Sequence, residues 1–92
     1  MDNDLKDRAE KEIGMMAKVF KVLTVKNKDN KISLEFFDMA LNYFNDSKFF
    51  LEKKDYVRAF EAVVISWSYI DAGIKASFFE VPANLRQYFT FE

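Results

Sequence analysis

The sequence predicts an all-α fold, a three-helix up-down-up bundle with a C-terminal aromatic tail packed on the third helix, with residues 1–92 forming one domain. Three observations carry this. Apolar residues recur at steps of three and four over three long segments, the period of helices that bury one face. Short polar stretches, residues 25–31 and 52–55, separate those segments and have the length that joins antiparallel helices. Two Gly and one Pro are too few to turn the chain repeatedly in an all-β protein.

The first helix is expected over about residues 3–26. Its inward stripe is Leu5, Ala9, Ile13, Met16, Phe20 and Leu23, and its outward face carries Asp4, Asp7, Lys11, Gly14, Lys18 and Lys21. Acidic residues stand near its positive end and basic ones near its negative end, which suits the helix dipole. The second helix is expected over about residues 32–53, capped by Asn30 or Ser33. Its expected inward stripe is Ile32, Phe36, Ala40, Tyr43, Ser47 and Phe50. On its polar side, Glu35, Asp38, Asn42 and Asn45 are followed by Phe49, an aromatic ring on the wet face; a lone exposed aromatic is the ordinary reading, and a contact point for a partner the sharper one.

The third helix, expected over about residues 55–80 with Asp55 as N-cap, organises the rest. It is apolar on nearly every side, with only Glu61 and Asp71 charged between Ala59 and Ile74. A helix of that kind has to be covered all round. One side carries small residues, among them Ala59, Ser66 and Gly73, which permit close approach of a neighbour. A second carries Phe60, Val64, Trp67, Asp71, Ile74 and Phe78. The third carries Arg58, Glu61, Ile65, Ser68, Ala72 and Lys75, and is polar only at its ends. Pro82 is expected to end the helix. The tail, with Leu85, Tyr88, Phe89 and Phe91, is expected to fold back as a lid over the third side or to dock on another chain.

Composition narrows the chemistry. Without Cys or His there is no disulfide, no thiolate or histidine metal site, and no Ser-His or Cys-His catalysis. No metal and no cofactor is therefore expected. A net charge of −1 gives no global electrostatic case for nucleic acid. The charges along the third helix argue against a membrane span. No signal peptide or lipidation motif is visible, so the chain is read as cytoplasmic. Asp71 is a candidate acid or base, because Trp67 and Ile74 flank it at helical spacing; the competing reading is a structural carboxylate accepting a hydrogen bond from a tyrosine or a backbone N–H. Glu61 and Asp71 do not make a catalytic pair, since ten residues separate them by about 15 Å along the axis. Lys26, Lys28, Lys31 and Lys75 are expected at one pole of the bundle, where a solvated charged end is the default.

The run ALNYFNDSKFFLEKKDYVRAFEAVVISWSYIDAG, residues 40–73, resembles the archaeal family catalogued as a domain of unknown function, DUF357. The matching positions are Tyr43, Asp46, Ser47, Phe50, Asp55, Ala59, Phe60, Glu61, Trp67, Asp71, Ala72 and Gly73. The resemblance implies a compact helical bundle and transfers no catalytic residue. Where family members often continue with a further Gly, this chain has Ala76 and Ser77.

The sequence therefore points to a non-enzymatic protein-interaction module, a homodimer or the ligand of an unidentified protein. Its warrant is an aromatic content that so small a bundle is not expected to bury. The alternative is a small-ligand, nucleotide or RNA-binding domain. Asp71, Trp67, Glu61, Asp46 and Phe49 are the candidate binding residues.

Overall fold

The computed structural model describes residues 2–90 and is a three-helix up-down-up bundle. Helix α1 spans Asp2–Val22, α2 spans Lys31–Glu52 and α3 spans Tyr56–Lys75. Strand β1 (Thr24–Val25) pairs antiparallel with β2 (Phe79–Glu80), and a 3₁₀ helix, Ala83–Tyr88, closes the described chain.

The long helices form where the period requires them. From α1, Ala9, Ile13, Met16 and Val19 are buried; from α3, Ala59, Val63 and Ile70 are buried, with Ala40 and Phe44 of α2 between them. The small side of α3 lets α2 approach closely. Ala59, Ser66 and Ala40 are fully buried, and the Ser66 hydroxyl donates to the Ala40 carbonyl of α2 at 2.7 Å. Gly73, on the same side, packs against Phe79 so tightly that an added Cβ would overlap the ring. Asn30 caps α2 by accepting from the Ser33 N–H at 3.0 Å, and Asp55 caps α3 by accepting from the Arg58 N–H at 3.2 Å.

Three expectations are corrected. Helix α1 ends at Val22 and α3 at Lys75, each several residues early. Ser77 takes a left-handed φ of 65°, its N–H bonds the Ile74 carbonyl, and the Phe78 N–H bonds the Gly73 carbonyl, which closes α3 before Pro82 is reached. Pro82 instead opens the 3₁₀ helix. The residues thus released pair as the small sheet, extended by the Lys26 N–H donating to the Phe78 carbonyl at 2.8 Å. The inward stripe of α2 holds at Ala40 and Ser47, with Phe36, Tyr43 and Phe50 half-buried, and departs from expectation at its first residue. Ser33 points inward, and Ile32, about 100° away around the axis, is exposed.

The aromatic surplus is mostly absorbed by the fold. Phe20 packs on Phe37 and Phe44, Phe36 on Tyr69 and Phe78, and Phe37 on Phe79. Among the described aromatic residues only Phe49 and Tyr88 are exposed. The large apolar side chains left in water are otherwise aliphatic: Val22, Ile32, Leu34, Met39, Val57, Val64 and Ile65. Phe91 lies outside the described residues.

Candidate functional site

Trp67 and Asp71 stand one turn apart on α3, and both hold the tail. The Trp67 indole N–H donates to the Tyr88 carbonyl at 2.8 Å, and its ring stacks on Phe89 at 6.0 Å with an interplanar angle of 4°. Asp71 accepts the Thr90 N–H at 2.9 Å, while the Thr90 hydroxyl lies 3.0 and 2.9 Å from its two carboxylate oxygens. Lys75 approaches the same carboxylate at 3.8 Å, an ion pair too long to be a hydrogen bond. The clamp works because Trp67 and Asp71, four residues apart, lie on one side of the helix, where one extended run of tail meets both. Leu85 and Phe89 complete it as buried anchors. The acceptor role foreseen for Asp71 is present, with a backbone N–H and a threonine hydroxyl as donors.

This position of the tail overturns one expectation. It lies on the Trp67–Asp71 side and does not roof the third side of α3. Val57, Val64 and Ile65 remain 56, 39 and 38% exposed, and Ser68, Ala72, Glu61 and Lys75 are exposed with them. Around the helix, Val57, Glu61, Val64, Ile65, Ser68, Ala72 and Lys75 fall within one outward-facing arc. The arc is aliphatic and small-residued along its middle, acidic toward the N-terminal end at Glu61 and basic at the C-terminal end at Lys75. Glu61 makes no ion pair or hydrogen bond among the described residues. The Ser68 hydroxyl is satisfied within the helix by donating to the Val64 carbonyl at 2.9 Å. Helical spacing alone finds this arc; what it misses is that the tail does not cover it.

A shallow groove of about 450 Å³ runs beside α3, lined by Glu35, Phe36, Asp38 and Met39 of α2 and by Tyr69. Asp46 and Phe49 lie farther along α2, both exposed, with the Lys53 ammonium over the Phe49 ring at 5.5 Å. The five residues singled out in the sequence therefore divide. Trp67 and Asp71 come together on the tail, Glu61 belongs to the outer arc of α3, and Asp46 and Phe49 sit on α2.

At the pole formed by the sheet, a cavity of about 200 Å³ is lined by Lys26, Ile74, Phe79, Glu80, Val81 and Arg86. Lys26 is the member of the expected basic group that reaches it; Lys75 is engaged by Asp71. Among the described residues no three of Asp, Glu, His or Cys cluster as metal ligands, and no helix is long and apolar enough to cross a membrane.

A sequence model described as "Protein of unknown function (DUF357)" matches residues 8–79. A crystal structure of a DUF357 protein from Archaeoglobus fulgidus superposes with a TM-score of 0.75 at 26% identity, covering 88% of this chain and 97% of that one. No curated protein matches.

Proposed function

The chain belongs to the DUF357 family, and we propose that it acts as a non-enzymatic protein-interaction module that docks through the outer arc of α3. One observation carries this reading: Val57 is more than half exposed, and Val64 and Ile65 more than a third exposed, on a helix whose opposite side is fully packed. The tail was available to cover them and is fixed elsewhere by Trp67 and Asp71. An apolar strip rimmed by polar residues is the pattern of an interaction surface. Trp67 and Asp71 serve it by holding the tail clear.

The alternative of a small ligand or nucleotide has two observations in its favour, the groove of about 450 Å³ beside Phe36 and Tyr69, which is shallow and flanked by the acidic Glu35 and Asp38, and Lys26 and Arg86 on the wall of the polar-end cavity. Two things weigh against the cavity as a nucleotide site. The cavity, at about 200 Å³, is smaller than the roughly 300–1,000 Å³ of small-molecule sites. Glu80 shares its wall and opposes a phosphate group. The interaction reading is the better supported.

A photo-crosslinking residue placed at Ile65 tests it, with the same residue at Gly14 as control; an added Cβ at Gly14 meets nothing within 4 Å, so that site is open surface. In concentrated extract of the source organism, position 65 is expected to capture protein, a second copy or another chain, in discrete adducts that position 14 does not give. Equal labelling at both positions, or none at 65, contradicts the reading.

A further inference from the structure

The arc on α3 is complementary to itself when reversed, and we propose that its occupant is a second copy of this chain, docked α3 against α3 in antiparallel register about a two-fold axis at Ser68. This rests on the docking role of α3 given above and names the partner.

The register follows from spacing. In an antiparallel pair centred on Ser68, each residue lies level with the one whose number completes a sum of 136, and meets those near that level on its own flank of the helix. Glu61 then faces Lys75 of the other copy, Ser68 faces itself, and Ile65, on the same flank of the helix as Ala72, packs beside the Ala72 of the other copy. All five belong to the exposed arc. The match is one of charge and of volume. An acidic end meets a basic end twice, and a branched aliphatic meets a small residue twice. A parallel pairing instead sets Glu61 against Glu61 and Lys75 against Lys75, which like-charge repulsion opposes.

The groups concerned are prepared for this contact. Glu61 lacks a partner among the described residues. Lys75 is half-exposed, and its 3.8 Å approach to Asp71 leaves the ammonium donors open. Ser68 and Ala72 at the centre allow the helix axes to come close. Burying Ser68 leaves no donor stranded, because its hydroxyl is already bonded to the Val64 carbonyl.

The contact is small. From Glu61 to Lys75 the overlap is about 21 Å long, and a single helix about 10–12 Å across covers well under the roughly 800 Å² per partner of a standard interface. The dimer is therefore weak and reversible, a state that forms as concentration rises.

The chain contains no Cys, so a single introduced cysteine reports without interference. Under mild oxidation at high protein concentration, Ser68→Cys is expected to form a covalent dimer several-fold faster than Lys18→Cys, an exposed control on α1. In the Ser68→Cys background, Glu61→Lys alone or Lys75→Glu alone slows dimer formation several-fold, and the two together restore the parent rate. Melting of the reduced proteins verifies folding. If Ser68→Cys does not fold, a mixture of Ile65→Cys and Ala72→Cys chains replaces it, with mixed dimers expected to outnumber either like pair. Equal rates for Ser68→Cys and Lys18→Cys, or a double charge swap that fails to restore the rate, overturns the proposal. If it is overturned while position 65 still captures a different protein, the docking role of α3 stands without a second copy. If position 65 captures nothing, both fall.

Discussion

Lys54 and Ser77 hold left-handed backbone, with φ of 63° and 65°, at the two helix ends where a glycine is the ordinary choice. Each closes its helix the same way. The Lys54 N–H bonds the Leu51 carbonyl and the Asp55 N–H bonds the Phe50 carbonyl, just as Ser77 and Phe78 serve α3. A non-glycine residue in this region costs about 1–2 kcal/mol, and glycine's extra unfolded-state entropy returns roughly 0.5–1 kcal/mol. Lys54→Gly and Ser77→Gly should therefore each raise stability by up to about 1 kcal/mol, measured as a shift in the denaturant midpoint. Gly73→Ala should act oppositely, costing about 1–3 kcal/mol as an overpacked core site, because the new methyl meets the Phe79 ring. Ser33 and Ser66 give a second contrast. Both are fully buried, but the Ser33 hydroxyl has no hydrogen-bond partner among the described residues, whereas that of Ser66 bonds α2. Ser33→Ala is expected to be neutral or stabilising, and Ser66→Ala to cost about 0.5–1.5 kcal/mol. Equal losses for both would mean that the Ser33 hydroxyl is satisfied.

The tail is the element whose behaviour separates packing from docking. Truncation after Pro82 removes Leu85 and Phe89, each a side chain whose burial contributes roughly 1.5–3 kcal/mol, reduced by about 1–2 kcal/mol of backbone entropy per ordered residue. Even a net loss of about 1 kcal/mol lowers the melting temperature of a domain this size by roughly 4–8 °C. The truncated chain should melt lower and bind more hydrophobic dye, as Trp67 loses its stacking partner; an unchanged melting curve would show that the tail contributes nothing. Asp71→Asn should weaken the same clamp by about 1–2 kcal/mol, because an amide keeps one acceptor oxygen where the carboxylate offers two. The three helices were legible in the sequence because their stripes repeat over many turns. Their starts and the end of α2 fell within one residue of expectation, but the ends of α1 and α3 did not; for α3 the left-handed stop is Ser77 rather than Gly, and Pro82 offered a plainer one farther on. Two-residue strands such as Thr24–Val25 are too short to show any period. The placement of the tail was misread for a related reason: spacing gives angles around α3 but not which angle each neighbour occupies.

For the molecule as a whole, a helix apolar on every side was read as needing cover everywhere, and the structure shows cover on all but one arc. Small size explains part of this, since a chain of 92 residues buries a smaller share of its surface than a larger one does. The placement explains the rest, with α1, α2 and the tail packed around α3 and Val57, Val64 and Ile65 left facing out. The central claim is that these aliphatic residues serve association and not the protomer's own stability. Its most direct measurement is the Val64→Ser, Ile65→Ser double variant, followed by thermal unfolding at low concentration and by sedimentation at high concentration. The account predicts unfolding free energy unchanged to within about 0.5 kcal/mol per site, as for surface positions, together with loss of the concentration-dependent rise above the 10.9 kDa monomer mass. A double variant that melts many degrees lower at low concentration, or one that associates as well as the parent, would contradict it.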